Sequence, residues 1–157
     1  MSRTQILRRQ HQTLDQLATQ LEHSMEQIKT HDDAMRCARQ LAKMTGILQF
    51  HLAAEDHSLY PRMQASSDPT TARTARSFAQ EMGGLATAYA EFADKWRTGN
   101  AILSDPEGFR TEAQLIFSAL SKRIERENEE LYPLAELMDS TTFAAREPID
   151  APDMQRS

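Results

Sequence analysis

The spacing of apolar residues along the chain predicts four long amphipathic helices. In each segment apolar side chains recur at intervals of three or four residues, as one face of a helix requires. We place these helices at about 4–29, 32–64, 69–96 and 106–138. No run alternates apolar and polar residues as a half-buried strand would. Four apolar stripes joined by short connections predict an all-α fold, an antiparallel up-down-up-down four-helix bundle.

Polar residues in the connections between the predicted helices are suited to cap the helix that follows. Asp32 and Asp33 favour the start of the second helix through capping and the helix macrodipole. Ser104 lies three residues before Glu107, which is the spacing of a capping box. We therefore expect Ser104 to cap the fourth helix.

Length and charge narrow the class of protein. A chain of 157 residues fits one domain, and we assign 1–139 to the bundle and the proline-bearing, polar 140–157 to a flexible C-terminal tail. The net charge of −5 and scattered basic residues argue against nucleic acid. No apolar run approaches membrane-spanning length. Cys37 is the only cysteine, so no intramolecular disulfide can form and we expect a cytoplasmic protein.

Two glutamates interrupt the apolar stripes. At about 100° per residue, Glu55 and Glu127 fall on the core faces of the second and fourth helices. A buried carboxylate must be neutral, paired or bound to a metal. A slightly rotated helix would let one such head group reach water, but two equivalent cases weaken that explanation. His51 precedes Glu55 by one turn and Arg123 precedes Glu127 by one turn, so each glutamate has a candidate partner.

The two glutamates begin equivalent stretches of sequence. Each is followed by Leu-Tyr-Pro, ending at Pro61 in the second helix and at Pro133 in the fourth. We expect Tyr60 and Tyr132 to close the ends of the bundle, with their hydroxyls at water or a carbonyl oxygen. The polar residues off these stripes are expected on solvated faces: Gln49, Asp56, Glu125, Arg126, Asn128 and Glu129.

His11 in the first helix completes a pattern with the two repeats. With His51-x-x-x-Glu55 and Glu127, each followed by Leu-Tyr-Pro, the chain resembles the hemerythrin-like (HHE) cation-binding family over about 6–138. The resemblance implies a bundle whose core holds two non-haem irons, bound by histidines and bridged by two carboxylates. Such sites bind oxygen or nitric oxide, or respond to iron and redox state. Carried over, His11 and His51 are histidine ligands, and Glu55 and Glu127 are the bridging carboxylates.

Two positions depart from the family pattern. Arg123 replaces the fourth-helix histidine and Met82 the third-helix one, and both histidines would serve the same iron. A complete di-iron centre is therefore not expected. Methionine is an ordinary core residue, whereas the Arg123 guanidinium could replace the lost metal charge through bidentate bonds to Glu55 and Glu127. The glycine pair Gly83-Gly84 suggests a close helix approach or a local kink.

The residues leave three functions open. The first is a metal-free protein with a core network of Arg123, Glu55 and Glu127, flanked by His11 and His51, in a non-catalytic sensing or binding role. The second is a mononuclear site in which the two histidines and two glutamates hold iron, manganese or zinc, for oxygen, nitric oxide or redox sensing or for iron storage. The third, an enzyme, needs an open coordination position and a substrate pocket that the sequence does not show. A protein partner or homo-oligomer is left open.

Overall fold

The computed structural model of the chain describes residues 2–145, and all regular structure in this range is helical. The helices are α1 Arg3–Met25, α2 His31–Ala54, α3 Tyr60–Gln64, α4 Pro69–Lys95, α5 Gly99–Ser104, α6 Pro106–Arg126 and α7 Tyr132–Ala145. A first π turn, Glu55–Leu59, joins α2 to α3, and a second π turn, Glu127–Leu131, joins α6 to α7. The all-α prediction is confirmed, and the antiparallel up-down-up-down order stays a prediction.

Side-chain caps set the helix starts, and one differs from the prediction. Thr30 caps α2. Its side chain accepts a hydrogen bond from the Asp33 N–H at 3.1 Å, and the Asp33 carboxylate accepts one from the Thr30 N–H. The predicted cap Ser104 instead ends the short helix α5. Asp105 caps α6 by accepting the Gly108 N–H at 3.0 Å. An aspartate next to the first helical residue satisfies the exposed N–H groups directly.

Each π turn widens the helix just before a Tyr-Pro pair. The N–H of Tyr60 bonds to the Glu55 carbonyl oxygen, and the N–H of Tyr132 bonds to that of Glu127, five residues earlier in both cases. Proline has no N–H and its ring crowds the preceding turn, so a wider turn accommodates it. The bond from residue i+5 to residue i brings each tyrosine back to the face of its glutamate. Both glutamates and both tyrosines are consequently buried.

The buried apolar residues form two clusters with polar residues between them. Along α1, Leu7 belongs to one cluster and Leu14 to the other, and His11 lies between them. The same order holds in the other two segments of the site, α2 with the first π turn and α6 with the second. There an apolar residue of each cluster flanks the polar residues: Leu48 and Leu59 around His51 and Glu55, and Ile124 and Leu131 around Glu127. The polar residues therefore lie at the junction of two apolar layers.

The glycine pair of α4 does not mediate helix packing. Gly83 and Gly84 are exposed, and a Cβ atom at either would meet no atom within 4 Å. The predicted close helix approach is therefore wrong, and α4 is assigned as one helix from Pro69 to Lys95.

The last helix continues beyond the expected domain boundary at residue 139. Helix α7 ends at Ala145, and the rest of the predicted tail, 146–157, lies outside the described residues. Within 2–145, no helix combines the length and apolar content needed to cross a membrane.

Candidate metal centre

Four buried polar side chains meet at the junction of the two apolar clusters. The ligand atoms of His11, His51 and Glu127 all lie within 4.8 Å of one another. His11 Nε2 is 3.1 Å from His51 Nε2 and 3.0 Å from Glu127 Oε1. Glu55 Oε1 lies 3.2 Å from His51 Nε2. The fold thus brings together the four side chains that the sequence singled out as ligands.

Two half-buried amides orient the imidazole rings. Nδ1 of His11 donates to Asn128 Oδ1 at 2.8 Å, and Nδ1 of His51 donates to Gln10 Oε1 at 2.7 Å. Because an amide oxygen only accepts, each Nδ1 carries a proton, and each Nε2 faces the cluster, with a lone pair when the ring is neutral and with a proton when it is charged. Metal-binding histidines are commonly held in this way. The prediction that Asn128 lies on a solvated face is wrong, because Arg8 and His11 of α1 bind it and leave it half-buried.

The Nε2 atoms of His11 and His51 are 3.1 Å apart, so their lone pairs would repel each other if both were unprotonated. Positive charge is therefore needed among the two histidines and the carboxylates. Burial lowers the pKa of His51, but Glu127 and Glu55 outweigh it and raise the pKa to about 9. Burial raises the pKa of Glu55 to about 8, with the neighbouring Glu127 charge adding to the rise. Burial also opposes the Glu127 charge, yet hydrogen bonds from His11 and His51 hold its pKa below the ordinary range. Protons thus supply the positive charge when no metal is bound.

A comparison with protein families matches residues 2–135 to the hemerythrin HHE cation binding domain. The chain belongs to this family. The match includes all four side chains of the cluster and both repeats. A possible His/His/Glu site in the helical core agrees with a domain described as cation-binding. Comparisons with curated proteins and with solved structures gave no significant match.

The tyrosines of this HHE domain cross over between the two repeats. Tyr60 OH donates to Glu127 Oε2 at 3.2 Å, and Tyr132 OH donates to Glu55 Oε2 at 3.1 Å. The prediction that the tyrosines close the bundle ends is wrong, because the π turns rotate both rings into the core. Each repeat therefore supplies one carboxylate and the phenol that binds the other repeat's carboxylate.

Arg123 is buried beside the site but directs most of its donors away from the glutamates. Its Nε lies 3.7 Å from Glu127 Oε2 without forming a hydrogen bond. Its terminal nitrogens bind three acceptors: the Phe78 carbonyl oxygen, the Tyr60 hydroxyl and the Glu81 carboxylate. The guanidinium also lies 4.3 Å from the centre of the Phe78 ring. The expected bidentate bonds to both buried glutamates are therefore absent. Arg123 makes an ion pair with Glu127 and hydrogen bonds to Phe78 and Glu81 of α4.

Glu81 connects the buried arginine to the surface. Its Oε2 is 3.2 Å from Arg123 NH1 and 2.7 Å from Arg126 NH1. Arg126 was predicted on a solvated face, and its side chain is indeed half exposed, but it also stacks over the Phe78 ring at 4.8 Å. The role of Glu81 was missed, because its position on an exposed face gives no sign of a buried partner.

The remaining candidates lie apart from the cluster. Met82 is buried in the apolar layer that contains Leu14 and Ile124. The other three histidines, none of which we expected in the core, are exposed: His23, His31 and His57.

The donor set fits one metal ion. Glu55 Oε1 is buried and accepts no hydrogen bond, although it lies 3.2 Å from His51 Nε2. Nitrogen and oxygen ligands about 2.0–2.2 Å from one ion lie roughly 2.8–3.6 Å apart at ordinary coordination angles. Three contacts in the cluster, of 3.0–3.2 Å, fall in this range. The fourth, between His51 Nε2 and Glu127 Oε1, is slightly longer at 3.8 Å. Imidazole and carboxylate donors suit iron, manganese and zinc.

Proposed function

We propose that this HHE domain binds one metal ion through His11, His51 and Glu127, with Glu55 as a fourth ligand, in a non-catalytic sensing or binding role. The observation that carries the proposal is the convergence of both Nε2 atoms on Glu127 while two amides hold both Nδ1 protons. A bound ion would place positive charge beside the two carboxylates. If the ion were iron, it could also change its oxidation state. The donors favour iron, manganese or zinc.

The position of Arg123 supports one ion rather than two. Glu127 Oε1 faces the histidines, whereas Glu127 Oε2 faces Tyr60 and the Arg123 Nε. A second ion bridged by Glu127 would have to bind on this Oε2 side. There the guanidinium already supplies a positive charge, which would repel it.

The burial of the site supports a role without a substrate. The side chains of all four ligands are at most 2% exposed. A catalytic metal site keeps a coordination position open to water or substrate. A closed ligand set suits binding or sensing of the ion better than turnover.

A chain of ion pairs supports signalling from the site to the surface. Glu127 pairs with Arg123, Arg123 pairs with Glu81, and Glu81 pairs with Arg126. A metal ion that draws charge from Glu127 weakens its hold on Arg123. The half-exposed pair of Glu81 and Arg126 would report this change at the surface.

Zinc retention tests the proposed site. Wild type purified without chelator, loaded with zinc and desalted should retain close to one ion per chain by mass spectrometry of the metal. Glu127→Gln keeps the shape of the side chain but loses its charge, so it should retain far less. Glu129→Gln changes an exposed acid two residues away and should match wild type. Wild type that retains no zinc would instead favour a metal-free core, in which Arg123 and the two tyrosines satisfy the carboxylates.

Hydrogen exchange tests the sensing role. With zinc, backbone protection should change in the ligand helices and also around Glu81 in α4, which contributes no ligand. Arg123→Gln removes the connecting charge and should confine the change to the ligand helices. A wild-type response already confined to α1, α2 and the two π turns would contradict signalling through Arg123.

A further inference from the structure

The Tyr132 oxygen lies among the metal-binding atoms themselves. It is 3.1 Å from His11 Nε2, 3.5 Å from His51 Nε2 and 3.1 Å from Glu55 Oε2. All three separations fall within the roughly 2.8–3.6 Å expected between neighbouring ligands of one ion. Tyr132 thus has the placement of a ligand, although it is a phenol that the sequence assigned to the end of the bundle.

Two neighbours hold the ring of Tyr132. It stacks on the His11 ring with the centroids 5.2 Å apart and an angle of 17° between the planes. The Arg8 guanidinium lies 5.4 Å from its centre, and Arg8 is tied to the second π turn through the Asn128 carbonyl oxygen. Tyr132 is fully buried, so its oxygen is held in place before any ion binds.

Tyr60, the equivalent tyrosine, has different neighbours. Its hydroxyl contacts Glu127 Oε2 and accepts a hydrogen bond from Arg123 NH2 at 3.2 Å. Neither histidine is among its hydrogen-bond partners in the part of the chain that the structure describes. The positive charge next to Tyr60 is the arginine, so only Tyr132 faces the proposed ion.

From this geometry we infer that Tyr132 is a metal ligand, whose phenolate oxygen joins His11, His51 and Glu127 around a ferric ion. This inference rests on the proposed metal site. On ferric binding, the O–H bond of Tyr132 would break, its oxygen would coordinate the ion, and the proton would pass to Glu55 Oε2, which already accepts that hydrogen bond. Tyr132 would thus take the place of Glu55 as the fourth ligand. No electron is transferred, because the iron is supplied in the ferric state.

Ferric loading gives a spectroscopic test. A phenolate bound to iron(III) produces a charge-transfer band in the visible region, and resonance Raman excitation in that band reports phenolate ring vibrations. Protein loaded with ferric nitrilotriacetate and desalted should show both signals. Tyr132→Phe retains the stacked ring and should lose the band. The two other tyrosines serve as matched controls, and Tyr60→Phe and Tyr89→Phe should retain it.

The controls keep the test valid even if Tyr132→Phe binds no iron, because a band that survives both control substitutions can come only from Tyr132. Bound iron without phenolate signals, or a band that survives in Tyr132→Phe, overturns the inference. If wild type retains zinc but not ferric iron, the inference about Tyr132 is overturned, while the proposed metal site stands. Wild type that retains neither ion overturns both.

Discussion

The two halves of the site share their backbone but not their chemistry. The half built on α1 and α2 contributes His11 and His51, whereas the half built on α4 and α6 contributes Met82 and Arg123 at the positions that resemble the family's histidines. Yet both halves contain a glutamate, a π turn, a buried tyrosine and a proline in the same order. The repeat therefore sets the local backbone. The residue four positions before each glutamate decides whether that half offers a lone pair or a positive charge.

The comparison also shows how one half completes the other. Glu127 belongs to the half without histidines, yet its Oε1 faces His11 and His51. Tyr132 comes from the same half and reaches the same cluster. In the proposed site, both halves therefore contribute ligands to one ion.

Restoring both histidines should remove the difference between the halves and produce the largest effect. Met82→His combined with Arg123→His replaces the buried charge with two neutral nitrogen ligands, so zinc stoichiometry should rise from one ion to two per chain. Met82→His alone retains Arg123 and should stay at one. A double variant that still binds one ion would contradict the correspondence of these positions between the halves.

Removing the arginine without adding a ligand should cost stability. In Arg123→Met, Glu127 loses its ion pair, and the Phe78 carbonyl oxygen loses a buried donor. We expect the free energy of unfolding of the metal-free protein to fall by about 3–5 kcal/mol in urea titration. Arg126→Met removes a half-exposed charge and should cost about 1 kcal/mol or less. Equal midpoints for Arg123→Met and wild type would show that the buried charge is not needed.

The amides that orient the histidines should affect affinity more weakly. Gln10→Met removes the acceptor of His51 Nδ1, and Asn128→Leu removes that of His11. Each should lower zinc affinity by about 10–100-fold, as measured by competition with a chelating indicator. Gln12→Met changes an exposed glutamine on the same helix and should have no effect. If Gln10→Met binds zinc as tightly as Gln12→Met, the amide does not orient the ring.

The smallest effect concerns the helices that pack beside each repeat. Helix α1 contains no glycine, whereas α4 carries Gly83 and Gly84 on an exposed face. Alanine at either position meets no neighbour and should stabilise the protein by about 1 kcal/mol in thermal or urea unfolding. Gly108→Ala is the opposite control, because its Cβ would collide with the Asp105 cap. Destabilisation by Gly83→Ala would contradict the open space around the glycine pair.

The sequence predicted the burial of the two glutamates better than the contacts around them. Helical periodicity placed Glu55 and Glu127 on core faces, because a buried stripe fixes the direction of Cβ. His51 followed as the residue one turn before Glu55, whereas His11 came from the family resemblance. It did not predict where Arg123 would bind, because a long side chain on a known face can still reach acceptors on several helices. Besides Tyr60 and Glu127, its partners are a carbonyl oxygen and an exposed glutamate, neither of which can be recognised from the hydrophobic pattern.

The tyrosines were misplaced for a different reason. A regular helix advances about 100° per residue, so position i+5 points away from position i. The π turns remove that offset, and Tyr60 and Tyr132 return to the side of their glutamates. Asn128 was misplaced because its partner comes from another helix. A rule that a buried imidazole needs an acceptor at Nδ1 would have prompted a search for it.

Each π turn also acts as a one-residue insertion that sets the rotation of everything after it. Deleting a residue such as Asn128 would restore ordinary helical spacing and turn α7 by about 100° relative to α6. Tyr132 would then leave the cluster, and the apolar face of α7 would point away from the core. The single extra residue therefore keeps Glu127 before it and the packing face of α7 after it directed toward the same core.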